Sequence, residues 1–215
     1  MNDIYISGTG IWTPPHKISN DELVESFNQY VDLYNSKHAN EIKNGALEAL
    51  DHSSSEFIVK ASGIKNRYVI EKESLLDPER MKPQIKARND DELSFTAEVG
   101  VIAAKQALKN ADLKPSDIDS VIVSAANLQR AYPAIAIEVQ NELGIEGFAY
   151  DMMVGCSAST FGISNAHSDI EAGKCSRVLV ISPEITSGHN NFKNRDGHFI
   201  FGDICTAVVL SLIHI

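Results

Sequence analysis

The chain has 215 residues, of which 43% are hydrophobic and 22% charged, and its formal net charge is −10 at pH 7. This length and apolar content can bury a core, whereas the negative charge argues against nucleic-acid binding, which depends on clustered lysine and arginine. The longest apolar runs, such as 121–126 and 178–181, are far shorter than the roughly 20 residues that span a bilayer, and no secretory signal is visible, so we expect a cytoplasmic protein without a membrane span.

The first residues predict a strand and a turn. Residues 3–8 have the pattern of a short buried strand, and Gly8-Thr9-Gly10 followed by Thr13-Pro14-Pro15 is typical of a turn. The two prolines stand near the place where the helix of a dinucleotide-binding motif would begin. Because the glycine pattern is incomplete and prolines stand at this place, the sequence argues against a dinucleotide-binding motif.

An amphipathic helix and a polar stretch follow. Ser19 and Glu22 form a capping box, and apolar residues then recur at helical spacing as far as Tyr34. The next stretch, about 35–91, is polar and irregular and carries mixed charges. We expect it to be an insertion or cap on the core.

From residue 93 onward, helical and strand-like patterns alternate. The predicted elements are a helix over 93–108, a strand at 119–126, a helix at 133–143, a strand at 147–153, a helix at 157–172, a strand at 177–182 and a last strand from about 205 to the end. Strands that alternate with helices of this length predict an α/β fold with a mostly parallel sheet covered by helices.

The three cysteines are Cys156, Cys175 and Cys205. Their spacing is not that of metal-binding pairs, and an odd number does not suggest a disulfide framework. The seven histidines are scattered as well. We predict no metal site and consider one of the cysteines a candidate nucleophile.

Cys156 has the most informative surroundings. It lies in the segment 151–160, between a predicted buried strand and a helix rich in small residues. Free amide groups and the dipole at a helix start favour negative charge, and therefore the thiolate form that acts as a nucleophile. On residues alone, a buried cysteine is more often a small hydrophobic residue, so both interpretations stand at this point.

An ordered set of motifs between Ser62 and Ser211 resembles the amino-terminal half of β-ketoacyl-[acyl-carrier-protein] synthase III, a thiolase-fold condensing enzyme. The motifs are residues 62–67 (Ser-Gly-Ile-Lys-Asn-Arg), Ala131-Tyr132-Pro133, Leu143-Gly144-Ile145, the Cys156 segment, Glu171-Ala172-Gly173 and Phe201-Gly202-Asp203. They cover about two thirds of the chain with matching intervals. The resemblance implies a thiolase-like domain over 1–215, with a mixed, mostly parallel sheet, and a carboxy-terminal half that is absent.

The resemblance also implies a reaction. Cys156 would accept an acyl group from acyl-coenzyme A, and decarboxylation of malonyl-acyl carrier protein would supply the carbanion that attacks it, in fatty-acid or related biosynthesis. Acyl-coenzyme A and acyl carrier protein are then the expected partners, together with a second copy of the chain and no further cofactor. The family's catalytic histidine and asparagine lie in the other half, so we expect these 215 residues alone to be inactive.

Four more residues match binding positions of the family. Arg195 would help hold the coenzyme A nucleotide, Tyr132 would bound the acyl pocket of the partner copy, and Phe201 would line the pocket beside Cys156. Phe57 stands where the best-known members have a tryptophan that stacks on adenine. Simple packing or a solvated charge would explain each residue as well.

Two departures indicate a separate branch of the family. Phe57 replaces the family's tryptophan, and Ala61 stands where those members have an arginine. A different primer, such as a medium-chain acyl group, would fit these changes. Other interpretations are a different thiolase-superfamily condensing enzyme, such as a hydroxymethylglutaryl-coenzyme A synthase, an alkylquinolone synthase or a head-to-head acyl-condensing enzyme, and a truncated inactive half.

Overall fold

A computed structural model describes residues 3–89 and 91–212. In chain order the elements are β1 (Tyr5–Trp12), β2 (His16–Ser19), α1 (Asn20–Lys37), α2 (Ala39–Lys43), α3 (Ser55–Ser62), β3 (Asn66–Val69), α4 (Glu73–Leu76), α5 (Phe95–Asn110), β4 (Ser120–Ala125), α6 (Ile135–Leu143), β5 (Phe148–Met153), α7 (Ala158–Glu171), β6 (Arg177–Ile185) and β7 (Asp203–Ser211). Short 3-10 turns occupy Pro115–Asp117, Gly155–Ser157 and Thr186–Gly188.

The chain divides into two compact units. The first takes the residues up to 13, then 87–184, and those from 204 onward, and the second takes 14–86 and 185–203. The stretch 35–91, predicted as a cap, falls largely in the second unit. Its description as an insertion on the core stays a prediction.

The first unit contains a five-stranded mixed sheet in the order β1-β7-β6-β4-β5. Strand β4 runs parallel to both β5 and β6, whereas β1 runs antiparallel to β7. All six residues of β4 are buried, as is usual for a central parallel strand covered on both faces. The predicted α/β class, with a mixed and mostly parallel sheet, is confirmed.

Strand β1 corrects the prediction for the first residues. It extends from Tyr5 to Trp12, with several exposed positions, so Gly8 and Gly10 lie inside a strand rather than in a turn. Helix α5 passes very close: a Cβ atom at Gly10 would lie 2.0 Å from the carbonyl oxygen of Ala103. These glycines are needed for strand-to-helix packing, which the sequence pattern alone did not reveal.

The second unit has its own core. Strands β2 and β3 pair antiparallel, and the capping box of Ser19 and Glu22 opens α1 as predicted. The buried apolar residues are Ile18, Leu23, Phe27, Val31, Ile58, Val69, Leu75, Met81, Phe192 and Phe199. The stretch 35–91 was expected to be irregular, but it contains α2, α3, β3 and α4, because one or two apolar residues in each of the last three reach this core.

The boundaries of the later elements shift by a few residues. Helix α6 begins at Ile135 rather than 133, and β6 continues to Ile185 rather than ending at 182. The last strand begins at Asp203 and is described as far as Ser211. Residues 213–215 of the predicted strand lie outside the described residues.

Candidate active site

Cys156 lies at the corner between β5 and α7. The amide of Val154 donates to the carbonyl of Ala125 (3.3 Å), Gly155 then turns the chain with φ = +60°, and Cys156 sits in the 3-10 turn that precedes α7. Its side chain is exposed. The prediction that this cysteine occupies a strand-to-helix corner is confirmed, and the thiol is accessible to a reagent.

Small residues in α7 bring the corner close to the sheet. The hydroxyl of Ser124 on β4 donates to the carbonyl of Ala158 (2.7 Å), which lies in the first turn of α7. A Cβ atom at Gly162 would lie 2.8 Å from a methyl group of Val180. Ser157, the residue at the N-cap position of α7, makes no side-chain capping hydrogen bond within the described part of the chain. The sheet therefore positions the helix start while its first amides stay free of side-chain acceptors.

Tyr132 lies in the loop between β4 and α6, and 90% of its surface is exposed. The loop is anchored at both ends: the side chain of Gln129 accepts from the amide of Thr96 (3.2 Å), and the carboxylate of Asp151 accepts from the amides of Ile135 and Ala136, each at 2.8 Å. These hydrogen bonds fix the loop backbone, and the Tyr132 side chain extends from it into solvent. Its contact with a partner's acyl pocket stays a prediction.

Arg195 and Phe57 meet in the second unit. The guanidinium carbon of Arg195 lies 4.2 Å from the centroid of the Phe57 ring, and its Nε donates to the carbonyl of His52 (2.8 Å). Phe57 also packs edge to face on Phe199, with ring centroids 5.8 Å apart. The structure thus brings together two of the residues that the resemblance assigned to nucleotide binding.

The stacking of these two side chains restricts how a base could bind. A base between ring and guanidinium would need about 7 Å, since each stacked contact takes about 3.5 Å. The observed separation of 4.2 Å leaves no such room. With Arg195 in this position, a base cannot insert between the two groups, whereas the outer face of the guanidinium is not covered by Phe57.

The predicted site residues are divided between the units. Cys156 and Tyr132 belong to the first, whereas Phe57, Arg195 and Phe201 belong to the second. Phe201 is exposed by 43% of its surface. Its place beside Cys156 stays a prediction.

The other two cysteines are buried in the first unit. Burial, and secondarily the negative charge of Glu184, raise the pKa of Cys205 far above its usual value. Burial also raises the pKa of Cys175. These thiols therefore resist ionisation, which argues against either of them as the nucleophile.

Glu184 lies near the end of β6. Its carboxylate accepts a hydrogen bond from the amide of Ala126 (2.6 Å), at the end of β4. Burial raises the pKa of Glu184, although this hydrogen bond opposes the effect. The observed contact is that of a cap on a strand end.

His198 was not among the residues predicted for the site. Its ring is fully buried, stacks on Phe27 with centroids 4.6 Å apart, and makes a 2.7 Å hydrogen bond from Nδ1 to the carbonyl of Arg195. A histidine three residues after an arginine in a polar loop carries no pattern that would single it out. Only the fold reveals the contact with Arg195.

Residues 3–89 and 91–212 lack two kinds of feature. They contain no group of three or more histidine, cysteine or acidic side chains arranged to hold a metal ion. They also contain no helix with the length and apolar character required to cross a membrane. The absence of a metal stays a prediction.

Known proteins resemble both the sequence and the fold. A family model described as 3-oxoacyl-[acyl-carrier-protein (ACP)] synthase III matches residues 150–212, which include Cys156. A β-ketodecanoyl-[acyl-carrier-protein] synthase of Pseudomonas aeruginosa is 55% identical over 187 residues, which are 87% of this chain and 53% of that protein. A β-ketoacyl-[acyl-carrier-protein] synthase III of Brucella anthropi is 35% identical over 79% of this chain and 46% of its own length.

Among solved structures, 3-oxoacyl-[acyl-carrier-protein] synthase III of Aquifex aeolicus matches with a TM-score of 0.71 and 26% identity, over 97% of this chain and 54% of that chain. The fold is therefore the thiolase-like fold of condensing enzymes. These residues match an amino-terminal fragment of the β-ketoacyl-[acyl-carrier-protein] synthase III type. The chain spans about half the length of the curated relatives that it matches.

Proposed function

We propose that these residues form the acyl-accepting part of a decarboxylating condensing enzyme, in which Cys156 carries the acyl group. The exposed thiol at the β5–α7 corner is the observation that carries this proposal. The family match over residues 150–212 supports it, because the matched segment includes this corner.

In the first step, the thiolate of Cys156 attacks the carbonyl carbon of an acyl-coenzyme A thioester. The new sulfur–carbon bond replaces the bond to coenzyme A, which leaves as a thiolate. A tetrahedral intermediate with a negatively charged oxygen forms before coenzyme A leaves. The backbone amide of Cys156 donates one hydrogen bond to this oxygen, because free amides at a helix start bind negative charge.

In the second step, malonyl-acyl carrier protein loses carbon dioxide, and the resulting enolate attacks the acyl carbon. The β-ketoacyl product forms as the bond to Cys156 breaks and the thiolate returns. Covalent storage divides a difficult condensation into two easier steps. The resemblance assigns enolate stabilisation to a histidine and an asparagine of the other half, so we propose that residues 1–215 accept the acyl group and that the inactivity expected of them alone concerns the condensation step.

The primer in this proposal is a medium-chain acyl-coenzyme A. The 55% identical relative is named as a β-ketodecanoyl synthase, which indicates a product of ten carbons for that protein. A product of that length forms from an eight-carbon primer when two carbons are added. Octanoyl-coenzyme A is therefore the first donor to test.

Partner binding is also proposed. Strand β5 is at one end of the sheet order, and apolar side chains around it are exposed, including Met153 by 66% and Phe161 by 52% of their surfaces. A second copy of the chain would cover such surfaces, in line with the role predicted for Tyr132.

Acyl carrier protein is the proposed donor of the extender unit, and the cytoplasm is the proposed location.

The test is transfer of the octanoyl group from octanoyl-coenzyme A to the protein, followed by mass spectrometry of its peptides. We expect one acylated peptide, containing Cys156, and no acylation of a Cys156→Ser variant. Cys175→Ser is the matched control and should be labelled like the unchanged chain. Acylation of a different residue would refute the assignment. Consumption of malonyl-acyl carrier protein during turnover then separates this reaction from that of other thiolase-like enzymes.

A further inference from the structure

The loop that carries Arg195 is held by a buried histidine. His198 has no exposed surface, and its Nδ1 lies 2.7 Å from the carbonyl oxygen of Arg195. Its backbone amide donates to the carbonyl of Asn194 (2.8 Å). Two hydrogen bonds from one residue therefore close the turn on which Arg195 stands.

The contacts of His198 define its protonation. A carbonyl oxygen only accepts, so Nδ1 must carry the proton and donate it. The opposite nitrogen, Nε2, has no hydrogen-bond partner in the described part of the chain. Burial lowers the pKa of His198 to about 4, and the nearby positive charges of Arg67 and Arg195 act in the same direction. The ring is therefore neutral near pH 7.

Stacking fixes the orientation of this ring. The planes of His198 and Phe27 are 20° apart, with centroids separated by 4.6 Å. Phe27 is itself fully packed in the core of the second unit. The core thus determines the direction in which Nδ1 points, and with it the position of the Arg195 carbonyl.

We propose that His198 is a positioning residue that holds Arg195 in place over Phe57 and so preorganises an anion- and base-binding guanidinium. The inference rests on the proposed function, because the acyl-coenzyme A donor brings the nucleotide that the resemblance assigns to Arg195. Three attachments restrain the arginine: its carbonyl on His198, its Nε on the His52 carbonyl, and its guanidinium on the Phe57 ring. A guanidinium held in this way loses less conformational freedom when it binds an anion.

The arrangement of Arg195 can be followed without any ligand by nuclear magnetic resonance of its Nε–H group. This proton is hydrogen-bonded and lies near the Phe57 ring, so its signal should be shifted by the ring current and should exchange slowly with water. Loss of the signal in Arg195→Lys assigns it. The exposed, neighbouring His189→Asn is the matched control and should leave it unchanged.

Three substitutions of His198 discriminate a positioning role from simple packing. Asn places an amide donor where Nδ1 stands, Gln places it near Nε2, and Phe keeps the stacking on Phe27 but has no donor. We expect His198→Asn to keep the Arg195 signal, and His198→Phe and His198→Gln to move it and to speed its exchange about tenfold, the effect of losing about one hydrogen bond. If Phe or Gln does not fold, the other still gives the comparison with Asn; if Asn does not fold, the unchanged chain is the reference with a donor, and Phe, which keeps the stacking, is the variant without one.

Two results would overturn the inference: an unchanged signal in the folded Phe and Gln variants, or a signal that His198→Asn shifts as much as they do. The proposed function is tested separately by titration with adenosine 3′,5′-bisphosphate, the nucleotide portion of coenzyme A. If Arg195→Ala leaves this binding unchanged while the Nε–H signal responds to His198 as expected, nucleotide recognition by Arg195 is wrong and the positioning role stands.

Discussion

The Cys156 corner and the Arg195 loop are built in opposite ways. At the corner a glycine with positive φ and an uncapped helix start leave the thiol exposed. In the loop, a buried histidine, a backbone carbonyl and an aromatic ring restrain one arginine. The difference reflects two kinds of contact with a ligand. A nucleophile must be accessible to its substrate, whereas a flexible cationic side chain binds an anion better when its position is already restricted.

The accessibility of the corner should produce the largest effect. In the folded chain, iodoacetamide should alkylate Cys156 more than about 100-fold faster than Cys175 or Cys205, because buried thiols react only when the structure opens. Mass spectrometry of peptides after timed quenching measures each rate. In concentrated urea the three rates should converge, which serves as the control. Equal rates in the folded chain would remove the contrast between the exposed corner and the buried cysteines.

The buried histidine of the loop should make stability depend on pH. Its pKa is about 4 when folded, against an ordinary value of 6.5, so the unfolded chain binds a proton first as the pH falls. The contribution of His198 to the free energy of unfolding is therefore complete above pH 6.5 and is lost as the pH falls toward 4. Between pH 7 and pH 5 the free energy of unfolding should decrease by about 2 kcal/mol. Urea unfolding of the chain and of His198→Asn at both pH values measures this. The unchanged chain should lose more stability than the variant, and parallel losses would show that His198 is not the cause.

A smaller effect is expected beside the corner, at Asp151 on β5. Its carboxylate accepts from the two amides that open α6, although burial raises its pKa. In Asp151→Asn one of the two acceptor oxygens becomes a donor, so unfolding should become easier by about 1–2 kcal/mol. Thermal or urea unfolding provides the value. Glu142→Gln, at an exposed position of the same helix, should change stability little, and an equal loss in both variants would exclude a specific role for the cap.

Much of the first unit could be predicted from the sequence. Continuous apolar strands alternating with helices indicated the mostly parallel sheet, and the change from Met153 through Gly155 to small residues indicated the corner at Cys156. These features depend on neighbours in the chain, so a local pattern reports them. The same reasoning failed at Gly8 and Gly10, where the cause is a helix about 100 residues away.

The second unit shows the limit more clearly. Its polar composition suggested an irregular stretch, but a few apolar residues per element are enough to order it when they meet in one core. The stacking of Arg195 on Phe57 joins residues that are far apart in the chain, and so does the stacking of His198 on Phe27. No periodicity connects such pairs.

The sequence by itself determined the class of fold and the position of the candidate nucleophile, because strand and helix patterns and the glycine before Cys156 act over short distances along the chain. The tertiary structure alone decided that this thiol is exposed while Cys175 and Cys205 are buried, and that a neutral histidine holds the arginine loop. Burial and hydrogen bonding depend on which distant residues the fold brings together, and these contacts set both accessibility and protonation.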